Sequence, residues 1–140
     1  MPYHIYLWQQ FHNMVDDSLV YVFVWLVVFD VLTGYMKAWV ATSTGKKTNS
    51  TKGLFGLVKH LLVLVIILTG YPLICSIGYP LPAQVMIVAL IYNYAVSITE
   101  NLGQSGVPIP AWLKQHLTKL QDDYNAEDFD PISGHKKNKE

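Results

Sequence analysis

Three long apolar stretches dominate this 140-residue chain and limit what it can fold into. They cover residues 18–41, 54–78 and 83–102. A helix needs roughly 20 apolar residues to cross the hydrocarbon core of a bilayer, and each stretch approaches or exceeds that length. The sequence therefore predicts an all-α membrane protein with three transmembrane helices.

The segments that flank these spans have helical amphipathic patterns. Residues 1–17 predict an interfacial arm lying along the membrane surface. Its predicted apolar side consists of Leu7, Trp8, Phe11, Met14 and Val15. Residues 103–140 predict a short amphipathic helix that opens at Pro110, followed by a tail too polar to fold. The predicted stripe of that helix is Leu113, Leu117, Leu120 and Tyr124.

The ends of the spans carry recognisable cap and breaker residues. Ser50 or Thr51 is expected to cap the second span. The residues expected to break it towards its end are Gly70, Pro72, Gly78, Pro80 and Pro82. Gly103 is expected to end the third span as a left-handed glycine. Residues 42–53 then form a polar loop and residues 79–82 a short turn.

The lysines predict the orientation of the chain. Positively charged residues favour the cytoplasmic side of a membrane. Three lysines lie in residues 42–53, whereas none precedes Lys37 and none lies between the second and third spans. The loop and residues 103–140 are therefore expected inside, and the N-terminus and residues 79–82 outside. Ten acidic residues balance the ten lysines, so nothing in the charge favours a nucleic-acid partner.

Each predicted span carries one face of polar or small residues. These candidate pore-lining or oligomer-contact residues are Asp30, Gly34 and Lys37 in the first span, Gly53, Gly56 and Lys59 in the second, and Asn93, Ser97, Glu100 and Asn101 in the third. Such a face needs a protein partner rather than lipid, so a homo-oligomer is expected. Two interpretations remain open. The faces line a pore or its closed precursor, or their charges pair within a compact bundle, with Lys37, Lys59 and Glu100 also suited to anchoring at the boundary.

No arrangement typical of an enzyme stands out in the sequence. The five histidines, His4, His12, His60, His116 and His135, lack metal-ligand spacing, and we interpret all of them as having no functional role. No Ser or Cys nucleophile lies beside a base, and Cys75 fits a small apolar position. We therefore expect no catalytic residue, metal or cofactor.

Three separated motifs resemble one known family. They are residues 30–38 (DVLTGYMKA), 49–60 (NSTKGLFGLVKH) and 97–103 (SITENLG), the last followed by VPIP at 107–110. This pattern resembles the toxin-secretion/phage-lysis holins of Gram-positive phages. The resemblance implies a small protein of the host cytoplasmic membrane that assembles with itself into lesions at a set time. An endolysin or a toxin then passes through them without necessarily touching the protein.

The sequence is also compatible with two other classes of membrane protein. One is a membrane regulator that forms no pore, including an antiholin that binds a holin and blocks it. The other is a small ion-coupled transporter that uses Asp30 and Glu100, although no inverted repeat is visible.

Overall fold

The structure, a computed structural model, describes residues 1–47 and 49–125. Every regular element in those residues is a helix. The helices are α1 (Tyr3–Val15), α2 (Ser18–Ser43), α3 (Ser50–Ser76), α4 (Pro80–Gln104) and α5 (Ala111–Asn125). The helices α2, α3 and α4 are each long and apolar enough to cross a membrane. The prediction of an all-α integral membrane protein with three spans is confirmed.

The first and third spans form the main interface of the bundle. The helices α2 and α4 pack together more extensively than any other pair, and α3 lies against both of them. Phe23 of α2 and Ile87 of α4 have no exposed surface at the centre of this interface. Because short connections join successive spans, α2 and α4 run in the same direction and α3 runs opposite to them.

Much of the bundle surface is apolar. In α3, only 6% of the residues in its most apolar window are buried, and Leu62, Val65 and Ile66 are each more than half exposed. A water-soluble protein rarely exposes such a continuous apolar surface. Contact with lipid explains this surface, so α3 is a lipid-facing helix at the side of the α2–α4 pair.

A left-handed glycine follows each spanning helix. Gly45, Gly78 and Gly106 have φ values of 86°, 91° and 86°. After α2, the amide of Gly45 donates to Thr42 and that of Lys46 to Ala41, which is the Schellman arrangement. The expectation that Gly103 ends the third span is wrong. The helix α4 continues to Gln104 because the Schellman bonds form around Gly106 instead.

The second span differs from expectation at both ends. Asn49, rather than Ser50 or Thr51, caps α3, and its side-chain oxygen accepts from the amide of Thr51 at 3.0 Å. The helix then continues through Gly70 and Pro72 to Ser76, so the expected break at those residues is wrong. Pro72 is fully buried, and packing holds the helix together where the proline removes one backbone donor.

The arm α1 docks on the last part of α3. The hydroxyl of Tyr3 lies 2.7 Å from that of Ser76. The partly covered residues of α1 are Leu7, Gln10, Phe11 and Met14, whereas the predicted apolar residues Trp8 and Val15 are 72% and 57% exposed. Docking on α3 therefore covers Leu7, Phe11 and Met14 of the predicted apolar side and leaves its other two residues exposed. Its place at the membrane surface stays a prediction.

Asp17 links the beginning of α2 to the last part of α3. One carboxylate oxygen caps α2 by accepting from the amide of Leu19 at 2.9 Å, and the other accepts from the hydroxyl of Tyr71 in α3 at 2.5 Å. The arm and the α3–α4 turn thus lie at one end of the bundle, and residues 44–47 lie at the other. The helix α5 begins after Pro110, as the sequence indicates. The side chains of Leu117, Leu120 and Tyr124, and the tail from residue 126, lie outside the described part.

Candidate functional site

A buried carboxylate from the middle of α2 is the centre of the candidate site. The side chain of Asp30 is 5% exposed although it lies on a membrane-spanning helix. Its two oxygens contact two different helices. Oδ1 accepts from Nδ2 of Asn101 in α4 at 3.3 Å, and Oδ2 lies 3.3 Å from Nε2 of His60 in α3. Asp30 therefore links all three spans.

His60 extends this arrangement along the bundle. Its Nδ1 lies 3.1 Å from the hydroxyl of Tyr94, and the Tyr94 ring meets Phe23 edge-on with centroids 5.9 Å apart. A neutral imidazole with its proton on Nε2 satisfies both contacts, because Nε2 then donates to Asp30 and Nδ1 accepts from Tyr94. A protonated imidazole would form an ion pair with Asp30, and its Nδ1–H would donate to the Tyr94 hydroxyl oxygen instead of accepting from it.

Asn101 and Thr33 complete the set. The amide nitrogen of Asn101 also donates to the hydroxyl of Thr33 at 3.2 Å, and that hydroxyl donates to the backbone oxygen of Asp30 at 3.1 Å. We call Asp30, Thr33, His60, Tyr94 and Asn101 the polar cluster. Every buried side-chain nitrogen or oxygen in the described residues has a hydrogen-bond partner. The cluster is thus internally satisfied, as polar groups surrounded by hydrocarbon must be.

A groove of about 340 Å³ opens beside the polar cluster. Its small lining residues are Gly34, Ala38, Gly53, Gly56 and Ser97. A Cβ atom added at Gly53 or Gly56 would meet nothing within 4 Å, and one at Gly34 would meet only the Asn101 amide at 3.8 Å. Packing within one chain therefore does not require these glycines, although each costs about 1 kcal/mol relative to alanine in a helix.

The structure separates the ten sequence-predicted residues into two groups. Those in the polar cluster or the groove are Asp30, Gly34, Gly53, Gly56, Ser97 and Asn101. Those whose side chains are exposed are Lys37, Lys59, Asn93 and Glu100. Glu100 lines a second groove, which also contains Lys114 of α5.

The position of Lys37 follows from the lengths of the helices. Lys37 comes seven residues after Asp30, about 10 Å further along α2. The helix α4 ends only three residues after Asn101, the partner of Asp30. Lys37 therefore lies beyond the end of α4, and its side chain is exposed.

His60, interpreted from the sequence as having no functional role, joins Asp30 to Tyr94 in the structure. Helical spacing already indicated that His60 belongs to the small-residue face of the second span. His60 comes seven residues after Gly53, which places the two on one face, whereas Lys59 lies roughly 100° away from His60. Tyr94 and Thr33 carried no comparable signal, since an aromatic or a threonine in a span is ordinary.

A comparison with protein families identifies the chain. The model of the bacteriophage holin family matches residues 10–122, which include the last part of α1, all three spanning helices and most of α5. The chain belongs to the bacteriophage holin family. The resemblance noted in the sequence is confirmed, and with it the association of this holin-family protein with phage lysis and membranes.

One of the similar proteins carries a name that agrees with this assignment. A probable holin of Bacillus phage phi105 is 32% identical over 113 residues, which cover 78% of this chain and 80% of the relative. An uncharacterised protein of Halalkalibacterium halodurans is 32% identical over 70% of this chain and 74% of its own length. The uncharacterised protein YqxH of Bacillus subtilis is 34% identical over 70% and 68%. No solved structure matches the chain.

Proposed function

We propose that this protein is a holin that accumulates in the bacterial cytoplasmic membrane, assembles with copies of itself and opens lesions at a timed moment. An endolysin, or a toxin, then leaves the cell through them. Membership of the holin family supports the role in lysis. The observation that carries the mechanism is the polar cluster, because it gathers polar side chains from all three spans at one place inside the bundle.

Because the polar cluster is internally satisfied, such a protein can accumulate in the membrane without opening a lesion. Each polar group left without a partner in hydrocarbon costs several kcal/mol, and the cluster avoids that cost inside one chain. The same groups can instead face water if several copies surround an aqueous opening. Opening therefore depends on the number of neighbouring copies, and a threshold in membrane concentration is the expected consequence.

The groove beside the cluster provides a place for a neighbouring copy to approach. Gly34, Gly53 and Gly56 leave room that the chain itself does not use. Small residues let helix backbones come close in a membrane, where van der Waals contact and hydrogen bonds drive association. In this proposal the small-residue groove contributes to assembly, and Asp30, Ser97 and Asn101 come to line the lesion. No step requires a catalytic residue or a cofactor.

The proposed orientation follows the lysines. The N-terminal arm and the α3–α4 turn lie outside, and residues 44–47 and α5 lie inside. The docking of α1 on the end of α3 agrees with this proposal, because both then lie at the outer end of the bundle.

Timed expression in a bacterial host tests the proposal. The protein is induced with and without a muralytic enzyme held in the cytoplasm, while membrane potential and culture turbidity are followed. Abrupt depolarisation in both cultures, with lysis only where the enzyme is present, is the expected result. A protein that leaves the potential intact but delays lysis by a co-expressed holin would be an antiholin instead.

A further inference from the structure

Asn93 lies on the outer surface of the bundle without a partner. Its side chain is exposed, and it makes no hydrogen bond to any described residue. Two other polar side chains of α4 do have partners, since Tyr94 bonds His60 and Asn101 bonds Asp30. Asn93 is thus a carboxamide that the chain places on its surface rather than in the polar cluster.

The depth of Asn93 makes this position costly. It comes 13 residues after the beginning of α4 and 11 before its end, about 20 Å and 16 Å along the helix. Its neighbour Tyr94 packs against Phe23, about 10 Å along α2 from Asp30 towards the outer end. Exposed apolar side chains surround this level, among them Val88 and Tyr92. Lipid tails offer no hydrogen bond there, so the amide needs a protein partner.

A second copy of the same chain supplies the matching group. A carboxamide both donates and accepts hydrogen bonds, so two Asn93 side chains can bond each other. Copies inserted in the same orientation place Asn93 at the same depth. Resting on the proposed self-assembly, we propose that Asn93 is the centre of a parallel α4–α4 contact between two copies.

The surroundings of Asn93 suit a close crossing of two helices. Ala89 lies one turn before it on the same face and is exposed, so a second backbone can approach without displacing a large side chain. Glu100 lies two turns after it on this face, where Lys114 of α5 shares its groove. A crossing centred between Ala89 and Asn93 lets the helices diverge before Glu100, which keeps the two carboxylates apart.

Disulfide crosslinking in membranes tests this contact. Cys75 is first replaced by serine, and single cysteines are introduced by Ala89→Cys or, as the matched control, Val88→Cys. Both positions are exposed on α4, but they lie about 100° apart around the helix. Mild oxidation is expected to give dimers with Ala89→Cys and few with Val88→Cys. Equal yields at the two positions would overturn the α4–α4 contact.

Substitution of Asn93 gives the second measurement. In the Ala89→Cys background, Asn93→Leu is expected to weaken dimerisation about three- to twentyfold, the range for one hydrogen bond between membrane helices. Asn93→Gln, which keeps the amide, is expected to restore most of it. An unchanged dimer yield with Asn93→Leu would overturn the role of the amide.

An amine-reactive crosslinker separates this inference from the proposed self-assembly. Multimers that form through the lysines while Ala89→Cys gives no disulfide would overturn the α4–α4 contact and leave the holin proposal standing. Absence of multimers by both methods, together with absence of depolarisation, would overturn both.

Discussion

His60 contacts Asp30 through one ring nitrogen and Tyr94 through the other, at 3.3 Å and 3.1 Å. The imidazole therefore couples α2 to α4 although it belongs to α3. The helix α3 has less contact with α2 and with α4 than those two helices have with each other. His60 therefore helps to hold α3 to the other two spans, together with the hydrogen bond from Tyr71 to Asp17.

Replacing His60 by alanine should destabilise the bundle by about 1–3 kcal/mol, the usual cost of leaving buried hydrogen-bonding groups without a partner. The free energy of unfolding in detergent measures this effect. In an Asp30→Asn background the same change should cost less, because no carboxylate is then left behind. His12→Ala, at an exposed position in α1, is the matched control. Equal costs in both backgrounds would show that His60 and Asp30 act independently.

Asp30→Asn is expected to accumulate in the membrane at least as well as the natural protein, because an intramembrane carboxylate is costly to insert. Its lysis should nevertheless fail or be mistimed, because the polar group proposed to organise the lesion is weakened. Membrane-inserted protein and the time of depolarisation are measured in the same culture. Unaltered timing at equal protein level would remove Asp30 from the lesion.

Gly56→Leu should reduce crosslinked multimers in membranes without unfolding the chain. A Cβ at Gly56 meets nothing within 4 Å, so the larger side chain fills the groove rather than the core. Gly70→Leu is the control, since Gly70 lies in the same helix with equal space around it but does not line the groove. A multimer ladder that persists with Gly56→Leu would mean that copies do not meet at this groove.

Tyr71→Phe and Asp17→Ala should loosen the end of the bundle that carries the arm. The first removes only the hydroxyl that donates to Asp17, and the second also removes the cap of α2, which costs about 0.5–2 kcal/mol. Thermal unfolding should therefore rank the natural protein above Tyr71→Phe and that variant above Asp17→Ala. Tyr21→Phe, at an exposed position, should leave the midpoint unchanged.

The proposed orientation predicts the labelling of single cysteines in intact cells. In a Cys75→Ser background, Gln9→Cys should react with a membrane-impermeant reagent and Lys46→Cys should react only after the cells are opened. The reverse pattern would invert the proposed topology.

Hydropathy predicts the spans of this protein well because the bilayer imposes both their length and their helical structure. Hydropathy does not predict which residues of different spans contact each other. The face through Asn93, Ser97, Glu100 and Asn101 was predicted as one surface, yet Asn101 turns inward to Asp30 and Asn93 turns outward. Which side of such a face is covered depends on where α2 and α3 lie around α4, and periodicity within one helix contains no information on that.

Helix ends were the other source of error. Gly103 and Gly106 are both plausible terminators, and only the backbone conformation distinguishes them. Pro72 breaks an isolated helix, but in α3 its ring is buried and the neighbouring Tyr71 is bonded to Asp17. Tertiary contacts therefore override the local preference, as they commonly do for prolines in membrane helices.

The pairing of the first span with the third has a consequence for biosynthesis. Asn101 follows its partner Asp30 by 71 residues, and His60 follows it by 30. At a translation rate of about 5–20 residues per second, roughly 4 to 14 s pass between the synthesis of Asp30 and that of Asn101. His60 is made first and becomes the earliest partner of the carboxylate. Each newly made chain therefore passes through an interval in which its charge relies on the second span alone.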